Sequence, residues 1–124
     1  MSNKAVVIEE FEGILADLTA EGKGYWNVSE DKANNTLFCA YVSGKESGNS
    51  RINFSDIIWD HDVQPIAETL RRLGIKEFTI SSAASNLFAN LVEFKKFGVV
   101  LADAVMVNNF SGDHKMPALL LKVE

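Results

Sequence analysis

The sequence predicts an α+β fold: a single domain over residues 1–124, with a mixed sheet of roughly five strands packed by three helices. Three observations carry that expectation. Apolar residues recur at helical spacing near 4–21, 62–73 and 82–97. Runs rich in β-branched and aromatic residues lie between and after these stretches. Glycines at 22, 74 and 98 follow the helical stretches, where a left-handed residue ends a helix at no steric cost.

Residues 4–21 predict the first helix. Val7, Phe11, Ile14, Leu15 and Leu18 fall at i, i+4, i+7, i+8 and i+11, a single apolar stripe. Glu9, Glu10 and Glu12 lie in its first half, where the positive end of the helix dipole favours acids. Gly13, Ala16 and Ala20 smooth part of its surface for a close neighbour, and Gly22 and Gly24 end it. Residues 25–28 form a short strand candidate, with Tyr25 and Trp26 read as core in preference to an exposed contact surface beside Gly24, and 29–35 a polar turn marked by Asn34-Asn35. Residues 36–42 read as a strand. Leu37, Cys39 and Tyr41 share one face and Phe38, Ala40 and Val42 the other; both are apolar, which predicts a central position. Residues 43–50, without one apolar side chain, read as a mobile loop, and 51–54 as a brief strand in a hairpin with 36–42.

Asp62 reads as the N-cap of the second helix, with Pro65 in its first turn, where a missing N–H is tolerated. Val63, Ile66, Ala67, Leu70 and Leu73 form the inward stripe, and Gly74 stops the helix with Ile75 as its apolar partner. Residues 76–81 alternate Phe78 and Ile80 with Glu77 and Thr79, as a strand does. Ser82 or Ser85 caps the third helix, which runs to about Phe97 with Leu87, Phe88, Leu91 and Val92 inward. Strands at 100–108 and 116–123 flank a polar turn around Ser111-Gly112-Asp113. The 76–81 strand, the third helix and the 100–108 strand are expected to form a parallel, right-handed β-α-β unit, and the last two strands an antiparallel hairpin.

Composition narrows the function classes. A single Cys forms no intrachain disulfide and cannot build a thiolate metal cluster. The longest mostly apolar stretch, 99–107, contains Asp103 and is far shorter than the roughly 20 residues of a membrane helix. With no signal-peptide core behind Met1, the expectation is a cytoplasmic protein with no membrane contact. The net charge of −5 is uneven: 1–62 hold 11 acids and 5 bases (−6), 63–124 hold 6 acids and 7 bases (+1). The adjacent basic pairs, Arg71-Arg72 and Lys95-Lys96, fall near predicted helix C-termini, where they complement the dipole. Lacking a basic stripe, the chain is not expected to bind nucleic acid directly.

Three clusters could carry chemistry. In Trp59-Asp60-His61-Asp62 the alternating acids could hold a hard cation and His61 could act as a base with Asp60; helix capping by Asp62 explains the same residues. An HD-type phosphohydrolase site would need another His upstream of His61, and there is none. Ser81, Ser82, Ser85 and Asn86 lie where a strand enters a helix, a place suited to an anion, although Walker, Rossmann and nucleophile-elbow patterns are absent. Asn108, Asn109, Asp113 and His114 crowd the last turn; if His114 met His61, two His and an Asp could hold a metal, but turn chemistry accounts for them without it. Cys39 reads as an inert packed thiol. Asp103 is either solvent-facing at a sheet edge or a buried, paired carboxylate.

Ile58-Trp59-Asp60, Leu70-Arg71-Arg72-Leu73-Gly74-Ile75 and Phe78-Thr79-Ile80-Ser81-Ser82 resemble small uncharacterised proteins carried on mobile elements of gut bacteria, over roughly residues 52–110. That resemblance implies an accessory role and transfers no activity or site. The helix-Gly-strand-turn-strand ending is also similar in outline to acetyltransferase C-termini, but the Gly-spaced pyrophosphate loop for acyl-CoA is absent.

The functional expectation is a non-enzymatic binding or regulatory module acting through protein contacts, without cofactor or metal, its acidic N-terminal half facing an unknown protein partner. A DNA-mimic inhibitor is a special case of this. The alternative is a small enzyme or ligand-binding domain, with the anion at Ser81, Ser82, Ser85 and Asn86 and Asp60 and His61 as acid and base. A third reading is a homodimer that buries an apolar sheet face or edge.

Overall fold

The computed structural model describes residues 7–24, 32–55, 58–109 and 111–124. These form α1 (Glu9–Glu21), α2 (Lys32–Glu46), β1 (Asn53–Phe54), α3 (Asp60–Arg72), β2 (Glu77–Ser81), α4 (Leu87–Lys96), β3 (Val99–Asn108) and β4 (Lys115–Val123). The class is α+β, as expected, but the described residues hold four helices and a four-stranded mixed sheet. Its order is β1-β2-β4-β3, with β1 parallel to β2 and β4 antiparallel to both β2 and β3. The candidate strand at 25–28, including Tyr25 and Trp26, lies outside the described residues.

The largest correction concerns 36–42, which is not a strand but the middle of α2. The same residues have helical spacing: Leu37 and Tyr41, and Phe38 and Val42, are each i, i+4, and all four are at most 2% exposed. An apolar run with two apolar faces fits a buried helix as well as a central strand. The helix also absorbs part of the expected turn and loop, ending at Glu46. The expected hairpin of 36–42 with 51–54 therefore does not exist, and β1 pairs with β2 instead. Gly44 allows this packing: a Cβ there would lie 3.0 Å from the Arg51 carbonyl oxygen and 3.3 Å from the Asn53 nitrogen. At Gly13, where the sequence suggested a close neighbour, a Cβ would meet nothing within 4 Å.

The second correction is topological. β2 and β3 run in the same direction, but β4 lies between them, so the β2-α4-β3 segment is not a paired parallel unit. The adjacent parallel pair is β1 and β2, joined through α3. The inner position of β4 leaves Ala118, Leu120 and Leu121 all buried, whereas β3, at the edge, is largely exposed along its middle. The β3–β4 hairpin is antiparallel as expected, with an extra residue at Ala102 between the Leu101 and Asp103 pairings.

Other elements follow the sequence closely. α1 buries Phe11 and Leu18, while Ile8, not Val7, supplies the contact at its start. Gly22 (φ 69°) closes it, with Lys23 N–H donating to Leu18 O at 2.9 Å. α3 buries Val63, Ile66, Ala67 and Leu70 at no more than 1% exposure. Gly74 (φ 73°) ends it, donating to Arg71 O while Ile75 N–H donates to Leu70 O. Phe54, Phe78 and Phe94 form a chain of ring contacts 5.4 Å apart, which places α4 on the sheet face that carries Phe78 and Leu121. From the last turn of α3, Arg71 ties the end of α4 to the C-terminal residue, donating to Phe97 O and to Glu124 O at 3.0 Å. Gly98 makes room for it, since a Cβ would lie 2.6 Å from Arg71 Nη2.

Candidate functional site

β2 ends at Ser81, which is fully buried. Its hydroxyl donates to Met116 Sδ at 3.4 Å and accepts the Ala83 N–H at 3.0 Å. Ala84 N–H donates to Ser81 O, and Ser82 N–H to Pro117 O. The first three N–H groups after the strand are therefore all bonded within the protein. Ser82 and Ser85 are exposed, and neither caps α4 as expected. The cap position belongs to Asn86, held at φ 64°, a left-handed conformation that Asn tolerates better than most residues. Its amide reaches across the turn and donates to Asp60 Oδ1 at 3.0 Å. Two of the sequence-predicted clusters are thus brought together, through Asn86 and Asp60 at the starts of α4 and α3.

The second cap also differs. α3 begins at Asp60 after an extended Trp59, so Asp62 lies in the first turn and Pro65 falls one turn further in. Pro65 has no N–H to give the His61 carbonyl. The Asp62 side chain is 7% exposed, with Oδ1 3.5 Å from His61 Nε2 and Oδ2 without a partner among the described residues. The His61 side chain is 75% exposed, and this contact is with its own chain neighbour. Among the described residues no three His, Cys, Asp or Glu side chains come together as a metal site.

The last turn uses its polar residues on itself. Asn109 N–H donates to His114 O at 2.8 Å, and His114 N–H donates back to Asn109 Oδ1. Ser111 Oγ donates to Asp113 Oδ1 at 2.7 Å; that bond, then one with Asn109, holds the Asp113 carboxyl below its ordinary range. Asn108 instead bonds to Ser47 and Asn49, in the segment that follows α2. Cys39 is half-buried on α2, its Sγ 4.0 Å from Asn35 Oδ1. Asp103 is solvent-facing on β3, with Oδ1 accepting the Ala104 N–H at 2.8 Å.

The acidic N-terminal half is partly neutralised within the fold. Glu12 accepts from Tyr41 Oη at 2.6 Å and from Lys45 Nζ at 2.7 Å, and Glu10 pairs with Arg72. The hydrogen bond from Lys45, then that from Tyr41, pulls the Glu12 carboxyl below its ordinary value. The most unusual surface lies elsewhere and was misread in the sequence. Phe88 is 83% exposed and Val92 59%, although both were expected inward. Leu101 and Met106 on the adjoining β3 are 53% and 58% exposed. By register, Leu101 and Met106 point to the same sheet face as Leu121, alongside α4. A signal was available: Leu87, Phe88, Leu91, Val92 and Phe94 span an arc of about 160° on a helix, more than one supporting layer covers.

Residues 36–121 match the family described as Domain of unknown function (DUF7698), and the chain belongs to that family. No curated protein and no solved structure matches the chain. The family description carries no link to mobile elements. No helix among the described residues is long and apolar enough to cross a membrane.

Proposed function

We propose that the protein is a non-enzymatic interaction module whose contact surface is the face shared by α4 and β3, and whose partner there is a second copy of the chain. The observation that carries this reading is the exposure of Phe88, Val92, Leu101 and Met106 on two elements that pack against each other. Exposed apolar side chains gathered in one place mark contact surfaces, whereas scattered ones do not.

Two arguments favour a second copy meeting this face. The first is charge. A molecule with net charge −5 repels itself over most of its surface, yet the only charged residue in β3 is Asp103, and residues 87–92 of α4 carry no charge. The second is geometry. β3 is an edge strand, but the extra residue at Ala102 and the Asp103 carboxylate on the Ala104 N–H disrupt strand addition along its middle. Contact through side chains across a two-fold axis satisfies both conditions. The 81–86 turn supports an anion-binding enzyme less well, because the N–H groups of Ser82, Ala83 and Ala84 are already bonded.

Sedimentation equilibrium across a wide concentration range tests the reading. The expected result is a reversible dimer that Phe88→Asp and Leu101→Asp each convert to a folded monomer, with unchanged far-UV circular dichroism. A strict monomer at high concentration, or a dimer indifferent to both substitutions, overturns it.

A further inference from the structure

A polar cavity of about 300 Å³ lies between the segment after α2 and the tip of the β3–β4 hairpin, on different residues from the α4–β3 contact face apart from Met106. It is built with care. Asn49 and Asn108 pair reciprocally, Asn49 Nδ2 donating to Asn108 O at 3.2 Å and Asn108 N–H to Asn49 Oδ1 at 2.9 Å. Asn108 Nδ2 adds a bond to Ser47 O at 2.9 Å. These bonds hold the 47–51 segment against the end of β3. Thr79 is 1% exposed and lines the cavity, its hydroxyl donating to Asn53 Oδ1 at 2.7 Å.

The charges in this cavity run against those of the molecule. The chain carries −5, yet the lining contains Arg51 and Lys115 and no carboxylate. Lys115 forms no ion pair among the described residues. Among the described residues Arg51 is anchored through Nε, which donates to Glu77 Oε1 at 2.9 Å; this fixes the plane of the guanidinium and leaves its terminal amino groups for another acceptor. A planar fork beside a mobile ammonium is the donor set that oxyanions require. Ser50, next to Arg51 in the chain, also lines the cavity and brings a hydroxyl. The volume is at the low end of small-ligand pockets, about 300–1,000 Å³, so a small ligand fits and a dinucleotide does not.

We propose that this cavity is a binding site for a small oxyanion, a phosphate or a small carboxylate, held by Arg51 and Lys115 with the Ser50 hydroxyl. The test is titration of the full-length, ¹⁵N-labelled protein with inorganic phosphate and, separately, with succinate, at constant ionic strength set by chloride. The expected result is saturable amide shifts centred on Gly48, Ser50, Thr79 and Lys115, stronger for whichever of the two sources the site prefers. Lys115→Met should weaken binding at least about tenfold, roughly what one lost charged contact costs. Lys122→Met, a lysine of the same strand outside the cavity, should leave it unchanged. Arg51→Met should also weaken binding, but it breaks the Glu77 pair, so Lys115→Met carries the test. Shifts that do not saturate, that chloride alone reproduces, or that survive Lys115→Met overturn the proposal.

Discussion

α3 and α4 pack side by side, and both are amphipathic, yet they use their apolar residues differently. α3 places Val63, Ile66, Ala67 and Leu70 in one stripe and buries them all, leaving Gln64, Glu68, Arg71 and Arg72 to solvent. α4 buries Phe94 and half-buries Leu87 and Leu91, but turns Phe88 and Val92 outward and places Asn90 in the core. One helix is wholly absorbed by its own fold. The other is apolar on two sides, and only one of them is covered. The lesson is that the width of an apolar arc, more than its presence, separates a helix that completes a core from one with a second surface.

The largest expected effect tests the covered sides. Leu70→Ala in α3 should cost about 2–5 kcal/mol and Phe94→Ala in α4 about 3–5 kcal/mol, through lost contacts and the cavity left behind. Val92→Ala, at a side chain 59% exposed on the outer side of α4, should stay within about 0.5 kcal/mol in dilute, monomeric protein. Urea unfolding measures all three. A Val92→Ala loss comparable to that of Leu70→Ala would place Val92 in the core and remove the contrast between the helices.

Asn90 provides a sharper probe with an effect of opposite sign. It is fully buried, and neither its Nδ2 nor its Oδ1 has a hydrogen-bond partner among the described residues. An unsatisfied buried polar group costs about 1–3 kcal/mol, whereas an apolar group of similar shape has no such requirement. Asn90→Leu is therefore expected to raise stability by about 1–3 kcal/mol, seen as a rise of several degrees in Tm. If the substitution instead lowers Tm, the amide has partners in solution and the inner side of α4 is polar by design.

The contrast between the helices also shows what a sequence displays. α3 was legible to the residue at its end, because Gly74 and Ile75 encode a left-handed stop and its apolar partner, and the chain makes both bonds. Its start was not, since Asp62 is an ordinary cap residue but the chain turns earlier, at Trp59. α2 was misread because Leu37, Phe38, Ala40, Tyr41 and Val42 leave no polar side to reveal a period. The order of the sheet was hidden too, since the crossover rule describes paired parallel strands and β4 enters from the far end of the chain. Of the candidate residues, Asp60 and Asn86 do meet, but a contact between side chains 26 positions apart leaves no local signal. The cations of the polar cavity were equally invisible, with Arg51 beside an apparent loop and Lys115 in a turn.

The smallest expected effect concerns the outer side of α3, which meets charge where the outer side of α4 offers apolar surface. Arg72 reaches Glu10 on α1 at 3.3 Å, and the same helix is tied to α2 by Glu12 between Tyr41 and Lys45. The Glu12 carboxyl is held below its ordinary value of 4.5, first by the Lys45 hydrogen bond and then by that of Tyr41. A depressed folded-state value means that the folded protein resists protonation more than the unfolded chain does. The stabilisation is therefore present above about 4.5 and lost as pH falls through the lower folded value. Because these groups are part-exposed, solvent screens them and the change is small. In urea titrations between neutral and acidic pH, Glu12→Gln should start with a lower midpoint than the parent protein and fall less steeply on acidification, so that the two curves converge. Parallel curves would mean that Glu12 adds nothing to the attachment of α1, leaving Phe11, stacked edge-on against Phe38 and Tyr41, as the contact that holds it.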